Sequence, residues 1–148
     1  MAKFVYRMEN VLKLKEQIEN QRQMEFIAAQ NKVYEEEEKM KELVNRYRQY
    51  LNEQKEMATS KINVVKLRQL GEGIEVTKDL IKAAAVQVKV AKKNMEVSQN
   101  RLAEAVKERK IQEKLKEKAF EGFKQELNKE EMKEIDEVIS FNYNNRSI

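Results

Sequence analysis

The chain contains no cysteine, histidine, proline or tryptophan, and only three of its 148 residues are glycine. The absence of cysteine excludes disulfides and thiolate metal sites, and it suits a reducing compartment. Without histidine or cysteine, the chain has neither an imidazole base nor a thiol nucleophile. It also lacks a glycine-rich phosphate-binding motif. We therefore expect a protein that is not an enzyme and has no cofactor and no metal site.

The missing prolines predict a helical chain, because proline removes a helical hydrogen bond and costs about 3 kcal/mol inside a helix. Charged residues make up 38% of the chain. There is no apolar run of the roughly 18 residues that a membrane-spanning helix needs, and the first residues lack the apolar core of a signal peptide. We expect a soluble, cytoplasmic, all-α protein.

A seven-residue repeat of large apolar side chains is the main positive signal. It comprises Ile74, Ile81, Val88, Met95 and Leu102, and the positions three residues later are small: Thr77, Ala84, Ala91, Ser98 and Ala105. A second row with the same spacing comprises Phe26, Val33, Met40 and Tyr47. Such spacing keeps one face of a helix against a partner helix, as in a coiled coil. The sequence predicts an antiparallel two-helix coiled-coil hairpin.

We predict one coiled-coil domain over residues 1–148. Helix one spans about 3–57, the turn about 58–61 and helix two about 61–140, with 141–148 as a flexible tail. Thr59 or Ser60 is expected to cap helix two. The pair Gly71 and Gly73 is the alternative turn, because paired glycines often mark turns. The apolar spacing runs across these glycines, so whether they kink helix two or form the turn stays open.

The unequal helix lengths predict that helix two protrudes beyond helix one. At 1.5 Å per residue, helix one covers its antiparallel partner to about residue 115. The apolar repeat is also lost at Arg109, which predicts a change of register just before that point. Beyond it, Phe120 and Phe123 need another surface to cover them.

The middle of the chain is basic, with 12 basic and 6 acidic residues between positions 78 and 118. A basic stripe can neutralise nucleic-acid phosphates. However, Glu96, Glu104 and Glu108 interrupt the stripe, and no aromatic residue lies between positions 51 and 119 to stack on a base. We therefore expect no nucleic-acid partner.

Three segments carry a resemblance to a known family. They are Phe4-Val5-Tyr6-Arg7-Met8 with Val11-Leu12, Tyr47-Arg48-Gln49-Tyr50-Leu51, and Glu131-Met132-Lys133-Glu134-Ile135-Asp136-Glu137. On these segments the chain resembles the FliJ family of flagellar type III protein export, over nearly its whole length. The resemblance implies a non-enzymatic stalk, similar to the central stalk of rotary ATP synthases, that serves flagellum biogenesis and motility.

The resemblance also implies partners. They are the hexameric flagellar export ATPase FliI, the export gate protein FlhA and export chaperones, at the inner membrane of the flagellar base and in contact with the membrane only through the gate. Gate contacts carried over from the family fall on Met40, Leu43, Tyr47, Leu70, Ile74, Thr77 and Ile81. The ATPase is expected to bind the protruding helix at Leu115, Phe120, Phe123, Leu127 and Ile135. The alternative is a generic coiled-coil scaffold or secretion chaperone without an ATPase link.

Overall fold

The computed structural model describes residues 2–61 and 63–146, which form two long helices and, within those ranges, no strand. Helix α1 spans Glu9–Thr59 and helix α2 spans Val64–Arg146. The helices pack against each other, so the predicted all-α two-helix class is confirmed. The chain divides into two compact units. The terminal unit comprises residues 1–20 and 104–148, and the hairpin unit comprises residues 21–103.

Helix α1 begins six residues later than predicted, at Glu9. Residues 2–6 are not helical, and the amide of Glu9 donates to the carbonyl of Tyr6 at 3.2 Å. The first turn carries the carboxylate of Glu9, which favours the positive end of the helix dipole. The segment leaves the helical path because Phe4 packs against α2 within the terminal unit.

The connection between the helices uses different caps from those predicted. Thr59 and Ser60 donate their hydroxyl hydrogens to the carbonyl of Glu56 at 2.9 and 3.3 Å, which satisfies the end of α1. Helix α2 is capped by Asn63, whose Oδ1 accepts from the amides of Val65 and Lys66 at 3.2 and 3.4 Å. An asparagine side chain reaches the free amides of a first helical turn in this way. Neither hydroxyl residue is close enough in sequence to do so.

Gly71 and Gly73 lie inside α2, and neither has a positive φ. The turn is therefore not at the glycines. The other end of α2 also differs from the prediction, since the helix continues to Arg146 through the segment expected to be a flexible tail. Ser147 and Ile148 lie outside the described residues.

In the hairpin unit, burial along α2 follows the sequence repeat. The residues of 71–102 that are buried or half-buried are Gly71, Gly73, Ile74, Thr77, Ile81, Ala84, Val88, Ala91, Met95, Ser98 and Leu102. From Ile74 onward these are the two rows of the repeat, so they form the coiled-coil seam. The small residues Thr77 and Ala91 are among the most buried side chains, because their size lets the helices approach closely.

One seam position of α1 carries a charge. Glu36 is buried among the hairpin unit's seam residues although its spacing calls for an apolar side chain. Its carboxylate lies 3.2 Å from the ammonium of Lys32 and 3.8 Å from that of Lys39. The hydrogen bond and charge of Glu36 raise the pKa of the Lys32 ammonium. These ion pairs offset part of the free-energy cost of removing the Glu36 carboxylate from water.

In the terminal unit the seven-residue count continues, with charged residues in place of apolar ones. Counting on from Leu102 by sevens gives Arg109, Lys116 and Phe123, and each is half-buried. Arg109 pairs with Glu19 and, at 2.8 Å, with Glu113. The hydrogen bonds to Glu113 and Glu19 raise the pKa of the Arg109 guanidinium. The predicted loss of register at Arg109 is therefore wrong: the register continues, because long basic side chains pack their stems into the seam and pair their heads at its edge.

Candidate functional site

The surface of the terminal unit carries the first candidate site, and an aromatic cluster marks its beginning. Phe4 lies against Phe120 and Phe123, with ring centroids 5.1 and 5.5 Å apart. The first contact is edge-to-face, a favoured geometry for aromatic pairs. Lys124 places its ammonium 4.7 Å from the Phe120 ring centroid and so makes a cation–π contact with this ring. The two predicted ATPase anchors are thus partly covered by the protein's own N-terminal segment.

Polar contacts hold the N-terminal segment and the start of α1 on α2. Tyr6 donates its hydroxyl hydrogen to Gln112 Oε1 at 3.2 Å. Lys116 pairs with Glu9 at 2.8 Å. With Phe4 in place, cover from the N-terminal residues extends along α2 as far as Phe123. The part of α2 beyond the cover of the N-terminal residues therefore starts later than the predicted position near residue 115.

Beyond this cover, every residue of α2 from 128 to 145 is exposed. Four apolar side chains there occupy one side of the helix at spacings of three and four residues: Met132, Ile135, Val138 and Ile139. We call them the C-terminal stripe. A shallow groove runs along it, lined by Ile135, Val138, Ile139 and the acidic Glu131 and Glu134. The stripe is an apolar face with a negatively charged edge, the form of a helix that docks on another protein.

A second candidate site is a cleft at the turn end of the hairpin unit. It has a volume of about 620 Å³ and is lined by Tyr50, Glu53, Glu56, Met57, Ser60, Lys66, Gln69, Leu70 and Gly73. Gly73 lines the cleft beside the Tyr50 ring, whose nearest atom would lie 3.5 Å, an ordinary van der Waals distance, from a Cβ atom at that position. Tyr50, Met57 and Leu70 give the cleft an apolar floor. Glu53, Glu56 and Lys66 give it charged walls.

The predicted gate contacts lie in the seam of the hairpin unit rather than on its outer surface. Ile74 and Thr77 are buried, and the other five, Met40, Leu43, Tyr47, Leu70 and Ile81, are half-buried. Thr77 donates its hydroxyl hydrogen to the carbonyl of Gly73 at 2.6 Å, so its polar group is satisfied within α2. Among the seven, Leu70 also lines the turn-end cleft.

The predicted ATPase contacts divide between two environments of the terminal unit. Leu115 and Ile135 are exposed, Phe123 and Leu127 are half-buried, and Phe120 retains 40% of its exposure beside Phe4. The predicted ATPase-binding segment, residues 115–139, also contains Met132, Val138 and Ile139, which are all more than half exposed. They share a three-and-four spacing with Ile135, which continues after the seven-residue repeat of the seam has ended.

A family model described as "Flagellar FliJ protein" matches residues 4–147, almost the entire chain. No curated protein and no solved structure matches. Across residues 2–61 and 63–146, no helix is both long enough and apolar enough to cross a membrane. In the same residues, no group of acidic side chains is arranged to hold a metal ion.

Proposed function

Since this chain belongs to the FliJ family of flagellar proteins, a family of non-enzymatic coiled-coil components of flagellar export, we propose that it links the export ATPase to the export gate. The C-terminal stripe on α2 supports this proposal most directly. Four apolar side chains on an unpartnered helix face are unfavourable in water, and docking on another protein removes them from it. The proposed action is mechanical: the chain promotes assembly of the FliI hexamer and connects it to the gate.

The C-terminal stripe is the proposed ATPase contact. Ile135, Val138 and Ile139 provide the apolar face, and Glu131 and Glu134 provide charge at its edge. The expected binding site on the ATPase is an apolar groove with basic residues at the rim, since complementary charge sets orientation and association rate. Phe120 and Phe123 stay in the proposal as the inner end of the contact. They become fully available only if Phe4 moves away from them.

The turn-end cleft is the proposed contact for the gate protein FlhA. Seam residues such as Ile74 and Thr77 are covered by the partner helix, so they support the shape of this end rather than touching the gate. Leu70 belongs to the seam and to the cleft, and Tyr50 and Met57 line the cleft beside it. We propose that an apolar side chain of the gate enters here. The chain would then reach the membrane only through the gate, as a peripheral protein at the flagellar base.

Escort of export chaperones is the third part of the proposal, and family membership alone supports it. The alternative function is a coiled-coil scaffold or secretion chaperone that has no link to the ATPase. The two readings differ in one observable property. Only the first predicts that the chain binds the export ATPase through the C-terminal stripe and increases its rate of ATP hydrolysis by promoting assembly.

The experiment compares two double variants of the full chain in co-purification with the export ATPase and in an ATP hydrolysis assay. Ile135→Asp with Ile139→Asp places two charges on the C-terminal stripe, and we expect binding and stimulation to be lost. Lys133→Gln with Ser140→Asp makes the same change in net charge on the opposite side of α2, and we expect both to be retained. If the two double variants bind equally well, the stripe is not the ATPase contact.

A further inference from the structure

Helix α2 carries a second apolar row in the hairpin unit, on the side away from the seam. Val76, Ala83, Val90 and Val97 follow each other at intervals of seven, and Leu80 and Val86 lie beside them. We call these six residues the outer ridge. All six are exposed, and Val76 and Val86 retain 59% and 58% of their accessible surface. They do not belong to the two rows that pack against α1, which start from Ile74 and Thr77.

The spacing of the outer ridge indicates the shape of its partner. From Val76 to Leu80 to Ala83 the intervals are four and three residues, and the same alternation continues through Gln87, Val90, Asn94 and Val97. This alternation keeps a straight face toward another helix over several turns. Gln87 and Asn94 interrupt it with polar side chains of the kind that select one register in a coiled coil. The partner expected here is a helix.

Charges along the edge of the ridge identify that helix. One row at intervals of seven reads Glu72, Asp79, Val86 and Lys93. It is acidic at one end and basic at the other, with Val86 at equal distance from Asp79 and Lys93. When two copies of this row run antiparallel about a two-fold axis at Val86, Asp79 of each copy faces Lys93 of the other. A parallel, in-register arrangement would bring Asp79 of neither copy close to Lys93 of the other.

We propose that the outer ridge pairs with the same ridge of a second copy, so that two chains form an antiparallel homodimer through α2. Both contacts are then made twice, as a two-fold interface requires. Val76 of one copy comes close to Val97 of the other, and Ala83 comes close to Val90. The ridge lies wholly within the hairpin unit and contains no residue of the C-terminal stripe. A test of self-pairing is therefore independent of a test of the proposed ATPase contact.

Sedimentation equilibrium of the full chain over a wide concentration range is the first test. The unmodified chain is expected to form dimers. Val90→Glu buries a charge in the ridge, and we expect the dissociation constant to rise by at least about tenfold. Ala85→Glu introduces the same charge on the opposite side of α2 and should leave the constant unchanged. Circular dichroism checks that both variants remain helical. A chain that is monomeric at all concentrations overturns the proposal.

Charge reversal and crosslinking test the antiparallel orientation. Lys93→Asp places two aspartates face to face and should weaken the dimer about tenfold, whereas Lys93→Asp with Asp79→Lys should restore it. Because the chain has no cysteine, single cysteines can be placed freely. A mixture of Asp79→Cys and Lys93→Cys chains should give mixed dimers with a short thiol crosslinker. Crosslinking only within each variant, or failure of the double reversal to restore the dimer, overturns the antiparallel pairing.

Discussion

The two units of this protein use the same seven-residue spacing with different side chains. In the hairpin unit the spacing is filled by Ile74, Ile81 and further aliphatic residues, with small residues between them. In the terminal unit the same count meets Arg109 and Lys116 before it reaches Phe123. Salt screens exposed and half-exposed ion pairs, which are each worth at most about 1 kcal/mol, but it does not screen apolar contacts. The helix contact of the terminal unit therefore depends more on salt, although Leu12 and Ala105 are buried there.

This difference matters for docking because the terminal unit carries the C-terminal stripe. Its N-terminal segment, which the Phe4 ring contacts and the Tyr6 hydrogen bond hold on α2, can rearrange at low cost when a partner arrives. The hairpin unit instead keeps its shape. Its candidate site is the turn-end cleft, which lies beside Gly73 and does not depend on a movable segment.

The largest expected effect is in the seam of the hairpin unit. Ile74→Ala removes buried aliphatic surface from a close-packed position, and we expect a loss of about 3 kcal/mol in the free energy of unfolding. Urea unfolding followed by circular dichroism measures it. Val65→Ala, at an exposed position of the same helix, should change stability by less than about 0.5 kcal/mol. Similar losses in both variants would show that the seam does not dominate the stability of this unit.

The next effect is in the aromatic cluster of the terminal unit. Phe4→Ala removes both ring contacts, and we expect a local loss of about 2 kcal/mol, with faster hydrogen exchange over residues 115–127. Exchange within 64–103 should stay unchanged. Val5→Ala is the matched control, because Val5 is exposed in the same segment. If exchange near Phe120 is the same in both variants, the N-terminal segment does not stabilise this part of α2.

A smaller effect tests the charged seam. Replacing Arg109 and Glu19 together by leucine converts the terminal unit to the chemistry of the hairpin unit, and we expect a gain of about 1 kcal/mol. Arg109→Leu alone leaves Glu19 without its partner across the helices and should give no gain. Hydrogen exchange at low and high salt provides the measurement: salt should loosen the unmodified terminal unit more than the double variant, which retains the Lys116–Glu9 pair. A double variant less stable than the unmodified chain would contradict this account.

The smallest expected effect is that of replacing one glycine in each unit by alanine. A Cβ atom added at Gly71 or at Gly122 meets no heavy atom within 4 Å. Both residues lie inside α2, where alanine is favoured over glycine by roughly 0.5–1 kcal/mol. We therefore expect Gly71→Ala and Gly122→Ala each to raise the thermal midpoint slightly. A lower midpoint for Gly71→Ala would show that the helix needs glycine at that position.

Sequence spacing predicted the helical class and the residues of α2 that face α1, because the residues of one helix face recur at fixed intervals whatever lies against them. It could not identify what lies against each face. The row from Ile74 to Leu102 was assigned correctly to a seam, but the seven carried-over gate residues also lie in that seam. Spacing alone does not distinguish a face that packs inside the chain from one that meets another protein.

The sequence by itself determined that this protein is a pair of long helices joined by an apolar seven-residue repeat, since that repeat and the missing prolines are local properties of the chain. Only the tertiary structure decided that Arg109 and Lys116 continue the seam, and that Phe4 partly covers Phe120. Each of these depends on two segments meeting in space. The C-terminal stripe and the outer ridge consist of side chains that these tertiary contacts leave exposed. They can therefore be identified only when the contacts between segments are known.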